Sequence, residues 1–244
     1  MFTMSTNRRQ FLSLGCALAA SAPFARVAFA DGLAPGAILA KADDVRNPAE
    51  SYFLRLGLDS GDGDPWDLEV SSNSNRQCLV KTLAPARERG RAMLMIDEDM
   101  WAYLPNLKRS VRVALNQRLT GQAANGDITR TRWAGDYTAA LEADEANASR
   151  LLLTANKKGL TYEKIRTWIE HGTFRPLHAE CLNLTGHPLK TLTYGKYKDL
   201  CGKVRPSEIV VADAVRTGDR SVMTIKAMEL RKFPDSMFTP ESLQ

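Results

Sequence analysis

The chain has 244 residues, with 33 Lys and Arg against 28 Asp and Glu and a formal net charge of +5. Three of the cations, Arg8, Arg9 and Arg26, fall in the first thirty residues, which hold no acid, so residues 31–244 carry only +2. That near-balance removes the main support for nucleic-acid or strong anionic-surface binding, and the length of this remainder suits one domain with a substantial core.

Residues 1–30 read as a cleavable export signal. A basic head, Asn7-Arg8-Arg9-Gln10-Phe11-Leu12, precedes a short apolar run from Leu14 to Ala20 and a small-residue site, Ala28-Phe29-Ala30, before Asp31. The arginine pair followed by Phe11-Leu12 points to twin-arginine export, with ordinary secretion as the alternative. The apolar run is about half of what a spanning helix needs. Cys16 lacks the leucine three positions earlier that a lipidation site wants, because Ser13 stands there. The expected location is therefore the periplasm, with residues 31–244 as one domain. Of the three remaining cysteines, Cys78 reads as a small buried hydrophobe, and a Cys181–Cys201 bridge is left open.

Pro35 opens one good helical pattern, with Ile38, Leu39, Ala42 and Val45 on one face and Asn47-Pro48 as the stop. Period-two runs follow at 52–58, 66–70, 91–96, 101–104, 111–115, 151–155, 165–169, 174–184, 189–197, 209–215 and 222–230, punctuated by Gly, Asp, Asn and Pro turns. About ten or eleven antiparallel strands should form one large curved sheet or partly closed barrel. Residues 119–140, rich in Gly and Ala with Trp133 and Tyr137, read as irregular or helical and are expected to cover one mouth. Met93 to Ile96 and Leu151 to Leu153 are apolar on both faces, so these strands need cover on each side.

Motifs for catalysis or cofactors do not emerge. His171, His178 and His187 are not at metal-ligand spacing, and the acidic loop of Asp59, Asp62, Asp64, Asp67 and Glu69 has its order broken by Gly61 and Gly63. There is no nucleophile elbow, phosphate-cradling loop or dinucleotide fingerprint, so neither an enzyme nor a cofactor is expected.

The segment Trp101-Ala102-Tyr103-Leu104-Pro105-Asn106-Leu107-Lys108-Arg109 stands out as an aromatic strand, a Pro-led turn and a cationic restart. It resembles the signature of the bacterial outer-membrane lipoprotein-sorting proteins, a branch of the superfamily of the periplasmic lipoprotein carrier LolA. Gly126-Asp127, the run Tyr162 to Ile169 with Arg175-Pro176, the Gly186 turn, Tyr194-x-x-Tyr197-Lys198 and the ending Phe233 to Pro240 with Leu243 continue the likeness in order. The stretch Thr129-Arg130-Thr131-Arg132-Trp133 departs from the family's pattern after Asp127 and implies a different cargo or partner at the lid.

The resemblance implies an unclosed antiparallel β-barrel, a half-barrel lidded by helices, around an apolar cavity. It implies binding and transfer of lipids or lipoprotein acyl chains without catalysis, with an inner-membrane transporter and an outer-membrane acceptor as partners. Trp101, Tyr103, Met93 and Met95 are the candidates for the cavity lining or mouth, because aromatics and Met pack adaptably on aliphatic chains. Lys108 and Arg109 are the candidates for a headgroup or partner contact. The rivals are a non-catalytic adaptor of an inner-membrane exporter, with a filled core, and a periplasmic hydrolase built around His178.

Overall fold

A computed structural model of the chain describes Met1 and residues 32–243 except 62, 74, 75 and 217. The export signal, Cys16, the cut before Asp31 and Asp62 of the acidic turn lie outside the described residues. The Pro-led pattern is a helix, α1 (Pro35–Arg46), with Pro35 in the first turn, where no intrahelical donor is lost. Asn47 ends it in an extended conformation. Its buried stripe is Ile38, Leu39, Ala42, Asp43 and Arg46, so the inward face turns from apolar to charged in the last turn, and Val45 is only half-buried.

The strands follow as β1 (Tyr52–Asp59), β2 (Trp66–Asn73), β3 (Gln77–Ala84), β4 (Ala92–Ile96), β5 (Asp99–Leu104) and β6 (Arg109–Arg112). Next come two short strands, β7 (Arg118–Thr120) and β8 (Ala123–Ala124), and a five-residue helix, α2 (Asn125–Thr129). The rest is β9 (Tyr137–Asp144), β10 (Ala148–Ala155), β11 (Lys164–Glu170), β12 (Pro176–Leu182), β13 (Pro188–Leu200), β14 (Lys203–Asp213) and β15 (Arg220–Leu230). Among the described residues these form one 13-stranded sheet in the order β6-β5-β4-β3-β2-β1-β15-β14-β13-β12-β11-β10-β9, and β7 pairs with β8 apart from it.

Every neighbour in the large sheet is antiparallel, as in the register Leu56↔Leu68 between β1 and β2 and Leu56↔Ile225 between β1 and β15. The sheet is an unclosed half-barrel with β6 and β9 as free edges. The chain runs directly from one edge to the other through residues 113–136, a strap that carries β7, β8 and α2. Residues from strands near both edges, such as Met100, Ala102, Leu151 and Leu153, join α1 and the strap in a single core cluster. The sheet must therefore curve around its own contents.

The sheet has thirteen strands where ten or eleven are expected, and individual elements differ from the sequence reading. β9 falls where an irregular or helical stretch is expected, because Tyr137-Thr138-Ala139-Ala140-Leu141-Glu142-Ala143-Asp144 is rich in Ala and acid and lacks Val and Ile. Its inner positions Tyr137, Ala139 and Leu141 nonetheless alternate, and pairing with β10 fixes the strand. β3 lies between the expected runs at 66–70 and 91–96, buries Cys78 and continues to Ala84 before Pro85.

The need for cover on both faces at β4 is met from an unexpected source. Met93 and Met95 point inward, while Leu94 points outward with Leu79. A C-terminal segment with two short helical turns, Asp235–Met237 and Pro240–Leu243, lays Phe233, Phe238 and Leu243 over that outer face. At β10, by contrast, the outward Leu152 is only half-covered. All three described cysteines are free thiols, with Cys181 buried on β12 and Cys201 at the β13–β14 turn.

Candidate functional site: the lidded interior

The inner face of the central strands supplies an apolar floor, with Leu54 and Leu56 of β1, Leu192 of β13, Ile209 of β14 and Met223 and Ile225 of β15. The end of α1 and strap residues 126–133 close over it, leaving a cavity of about 60 Å³. An apolar cavity of roughly 150 Å³ accommodates benzene, so this one holds a few waters at most and no acyl chain as it stands.

The lid is fastened by charge. Asp43, fully buried, accepts hydrogen bonds from the backbone N–H groups of Trp133 (2.7 Å) and Ala134 (2.6 Å) and from Arg46 (2.5 Å). Arg46 also donates to the Thr131 carbonyl (2.5 Å) and the Tyr194 hydroxyl (3.1 Å), and its guanidinium stacks 3.6 Å from the centre of the Trp133 ring. Burial works against the Arg46 charge, yet Tyr194 and Asp43 outweigh it and raise its pKa above the usual arginine value. Burial, in turn, pushes Tyr194 up to about 12, with Arg46 opposing. Arg132 pairs with Asp44 (2.8 Å), and Arg205 of β14 holds the α1 carbonyls of Asp44 (2.6 Å) and Val45 (3.3 Å) from below.

α2 docks through a second polar centre. Asp127 accepts from the Ala124 N–H (2.8 Å), which caps the helix, and from the Tyr162 hydroxyl (2.6 Å) and Lys190 (3.1 Å). A Cβ on Gly126 would meet the Thr161 hydroxyl at 1.9 Å, so only glycine permits the strap to lie this close to residues 160–162.

The two ends of the sheet are joined by ions where strands do not meet. Arg130 of the strap binds Asp136 through two contacts (2.6 and 2.8 Å) and reaches the Asp97 carbonyl in the β4–β5 turn. Lys157 of the β10–β11 loop bridges Glu98 and Asp136. Burial would raise the Asp136 pKa, but Arg130 and then Lys157 hold it below the usual carboxylate range.

The fold that carries this site is shared with proteins of known structure. A LolA superfamily protein from Nitrosomonas europaea is 35% identical over 86% of this chain and 99% of its own, with a TM-score of 0.79. The chain belongs to the LolA superfamily. A candidate outer membrane lipoprotein-sorting protein domain from Vibrio parahaemolyticus shares the fold at 19% identity and a TM-score of 0.74, covering 86% of this chain and 97% of its own. A DUF1329 family protein from Desulfovibrio piger does so at 18% and 0.73, covering 86% and 98%. A family model described as uncharacterized protein matches residues 74–244. No functionally curated protein matches the chain.

Within this LolA superfamily member the residues singled out from sequence are not brought together. Met93 and Met95 are fully buried on the inner face but stand outside the cavity wall. Trp101 and Tyr103 lie on the outer face: Ala102 pairs with inward Met93, so Trp101 pairs with outward Leu94 and joins the cluster under the C-terminal segment. Lys108 and Arg109 sit exposed at the β5–β6 turn, with Lys108 in the left-handed region at φ 47°. The residues that build the lid, Asp43, Arg46, Gly126, Asp127 and Trp133, carry a weak sequence signal: two charges on the apolar stripe of α1, and a Gly-Asp pair opening a short helix.

The hydrolase alternative gains no geometry. His178 lies on the outer side of the sheet, stacked on Trp168 with ring centres 4.0 Å apart. Ser149, His171 and Asp144 do meet, but a single nitrogen, His171 Nε2, contacts both Ser149 (3.2 Å) and Asp144 (3.0 Å). A relay needs the two imidazole nitrogens to serve different partners. Ser149 is also buried.

Proposed function

We propose that residues 31–244 form one exported, periplasmic domain that takes an acyl chain of a lipid or lipoprotein beneath α1 and the strap and passes it on without bond-making chemistry. The carrying observation is an apolar floor under a lid fastened by buried charge. A buried ion pair contributes little net stability, because its Coulomb attraction is offset by lost hydration. Such a lid is well positioned when closed, and its ions regain water when it lifts. Burying a methylene is worth about 0.8 kcal/mol, so a chain of roughly sixteen carbons supplies on the order of 12 kcal/mol gross to hold the lid open. Membership of the superfamily supports the same reading, as does the shared fold with the Vibrio domain named for lipoprotein sorting. Lys108 and Arg109, exposed beside a free edge, are proposed as contacts for a headgroup or a partner protein.

The test is to strip the protein of lipid, titrate a fluorescent fatty acid, and follow displacement and thermal shift together. Binding at about micromolar concentration with a rise in melting temperature supports the carrier. Neither signal at tens of micromolar leaves the small cavity as a merely imperfect core. That outcome favours a non-catalytic adaptor of an inner-membrane exporter.

A further inference from the structure

A second recess, of about 540 Å³, opens at the end of the sheet where the β1–β2, β7–β8 and β14–β15 turns come together. Among the described residues its walls carry three guanidinium groups, Arg118, Arg216 and Arg220, against one carboxylate, Asp219. Arg216 is held by Asp219 (3.3 Å) and Asp213 (3.6 Å). Among the described residues Arg118 and Arg220 form no ion pair.

The floor is rigidly built. Gly121 has φ 51°, and a Cβ there would meet the Ser221 hydroxyl at 2.3 Å and the Ser60 Cβ at 2.5 Å. Ser221, fully buried, accepts the Gln122 N–H at 2.8 Å. Lys190 then ties the Gln122 carbonyl (2.7 Å) to Asp127 (3.1 Å), which lines the lidded cavity, so one side chain links the recess floor to the interior.

Among the described residues the recess walls carry more guanidinium than carboxylate charge, and the planar forks of Arg118 and Arg220 match phosphate oxygens in pairs. The volume lies within the range of about 300–1,000 Å³ typical of small-ligand sites. We propose that this recess binds a phosphate-bearing anion, with Arg118 and Arg220 as its main contacts and Arg216 fixed at the rim. Exposed Val215 and Leu189 stand beside Arg216, joined through the Ala214 N–H to the Leu189 carbonyl (3.2 Å). Apolar side chains at the rim suit an amphiphile, whose headgroup would occupy the recess while its chain takes the adjoining interior. The anion site itself does not depend on the carrier reading.

The full chain is titrated calorimetrically with inorganic phosphate, dihexanoyl phosphatidylglycerol and phosphate-free dihexanoylglycerol. The phosphate-bearing probes should bind, more weakly as salt rises, and Arg118→Gln/Arg220→Gln should weaken them about tenfold or more at unchanged melting temperature. Arg118→Lys/Arg220→Lys, which keeps charge but not the fork, should fall between. Tighter binding of phosphatidylglycerol than of phosphate identifies a lipid headgroup; equal binding identifies free phosphate; both support the site. No binding of either near about 10 mM, or binding indifferent to both double variants, overturns it. If phosphate binds while dihexanoylglycerol and the fatty-acid probe do not, the carrier reading fails and the anion site stands.

Discussion

The sheet has two covers, and they are fastened by opposite chemistry. On the inner face, α1 and the strap bury Asp43, Arg46, Arg130 and Asp136 alongside their apolar residues. On the outer face, the C-terminal segment buries Phe238 and Leu243 against Leu79 and Leu94, with Trp101 and Tyr103 at the margin and Phe233 meeting Phe238 edge-on at 6.0 Å. Apolar burial is non-directional, and its loss on exposure is uncompensated. Charged contacts are directional and exchange for water. The outer cover is thus fastened by apolar area, whereas the inner one adds to its apolar residues charged contacts that fix its position, and the proposed carrier role asks the inner one to lift.

Single and paired substitutions should separate the two. Asp43→Ala leaves Arg46 buried without its carboxylate and strands the N–H groups of Trp133 and Ala134, so a loss of about 5 kcal/mol is expected in chemical denaturation. Asp43→Leu/Arg46→Met removes both charges and should recover most of that loss. If the double variant is as unstable as the single one, the latch is a stabilising core element and the contrast between the covers collapses. Phe238→Ala, at 2% exposure, should cost about 3–4 kcal/mol with no apolar double-mutant rescue. It should also leave fatty-acid affinity unchanged, whereas the latch double variant should alter that affinity by loosening the lid.

Much of this architecture is legible in the sequence because the sheet is built from consecutive hairpins, in which turn residues and alternation signal each strand locally. α1 and the β1, β2, β4, β5, β10–β13 and β15 strands fall within a few residues of their expected positions, whereas β14 begins well before the run expected at 209–215. What was not legible depends on contacts distant in sequence. Trp101 and Tyr103 look like ligand-facing aromatics until the Leu94 pairing and the C-terminal segment assign them outward. The latch joins residues 43–46 to residues 131–134 and to Tyr194, and no local pattern foretells that junction. Asp43 and Arg46 alone gave a hint, as charges on the stripe of a helix whose other inward residues are apolar. Thr131, Trp133 and Ala134 supply the strap's half of the latch.

A smaller effect is expected where the strap meets residues 160–162. Gly126→Ala places a Cβ within 1.9 Å of the Thr161 hydroxyl and 2.9 Å of its Cβ, and the neighbours must shift. Overpacking of this kind costs about 1–3 kcal/mol. Thr161→Ala in the same chain should restore part of it by removing the hydroxyl and methyl but not the Cβ. A Gly126→Ala protein of undiminished stability would mean that the strap already stands off from Thr161 in solution.

The smallest expected effect is confined to acid and tests the seam between the sheet's two ends. Arg130 and Lys157 outweigh burial and keep the Asp136 pKa below its usual value. A group with a depressed folded pKa contributes stability that is complete above its unfolded value, about 3.9, and is lost as pH falls through the folded value. The wild-type chain should therefore lose this contribution only below about pH 4, and show none of it as a change between pH 5 and 8. Asp136→Asn should flatten that acid limb of the denaturation midpoint against pH while leaving untouched the C-terminal cover, which holds no such pair among the described residues. The expected signature is a convergence of the two proteins' midpoints in acid and a constant gap at neutral pH. A gap that persists undiminished to pH 2 would show that Asp136 acts through packing and hydrogen bonding alone, and that the charge of Arg130 and Lys157 does not hold the seam.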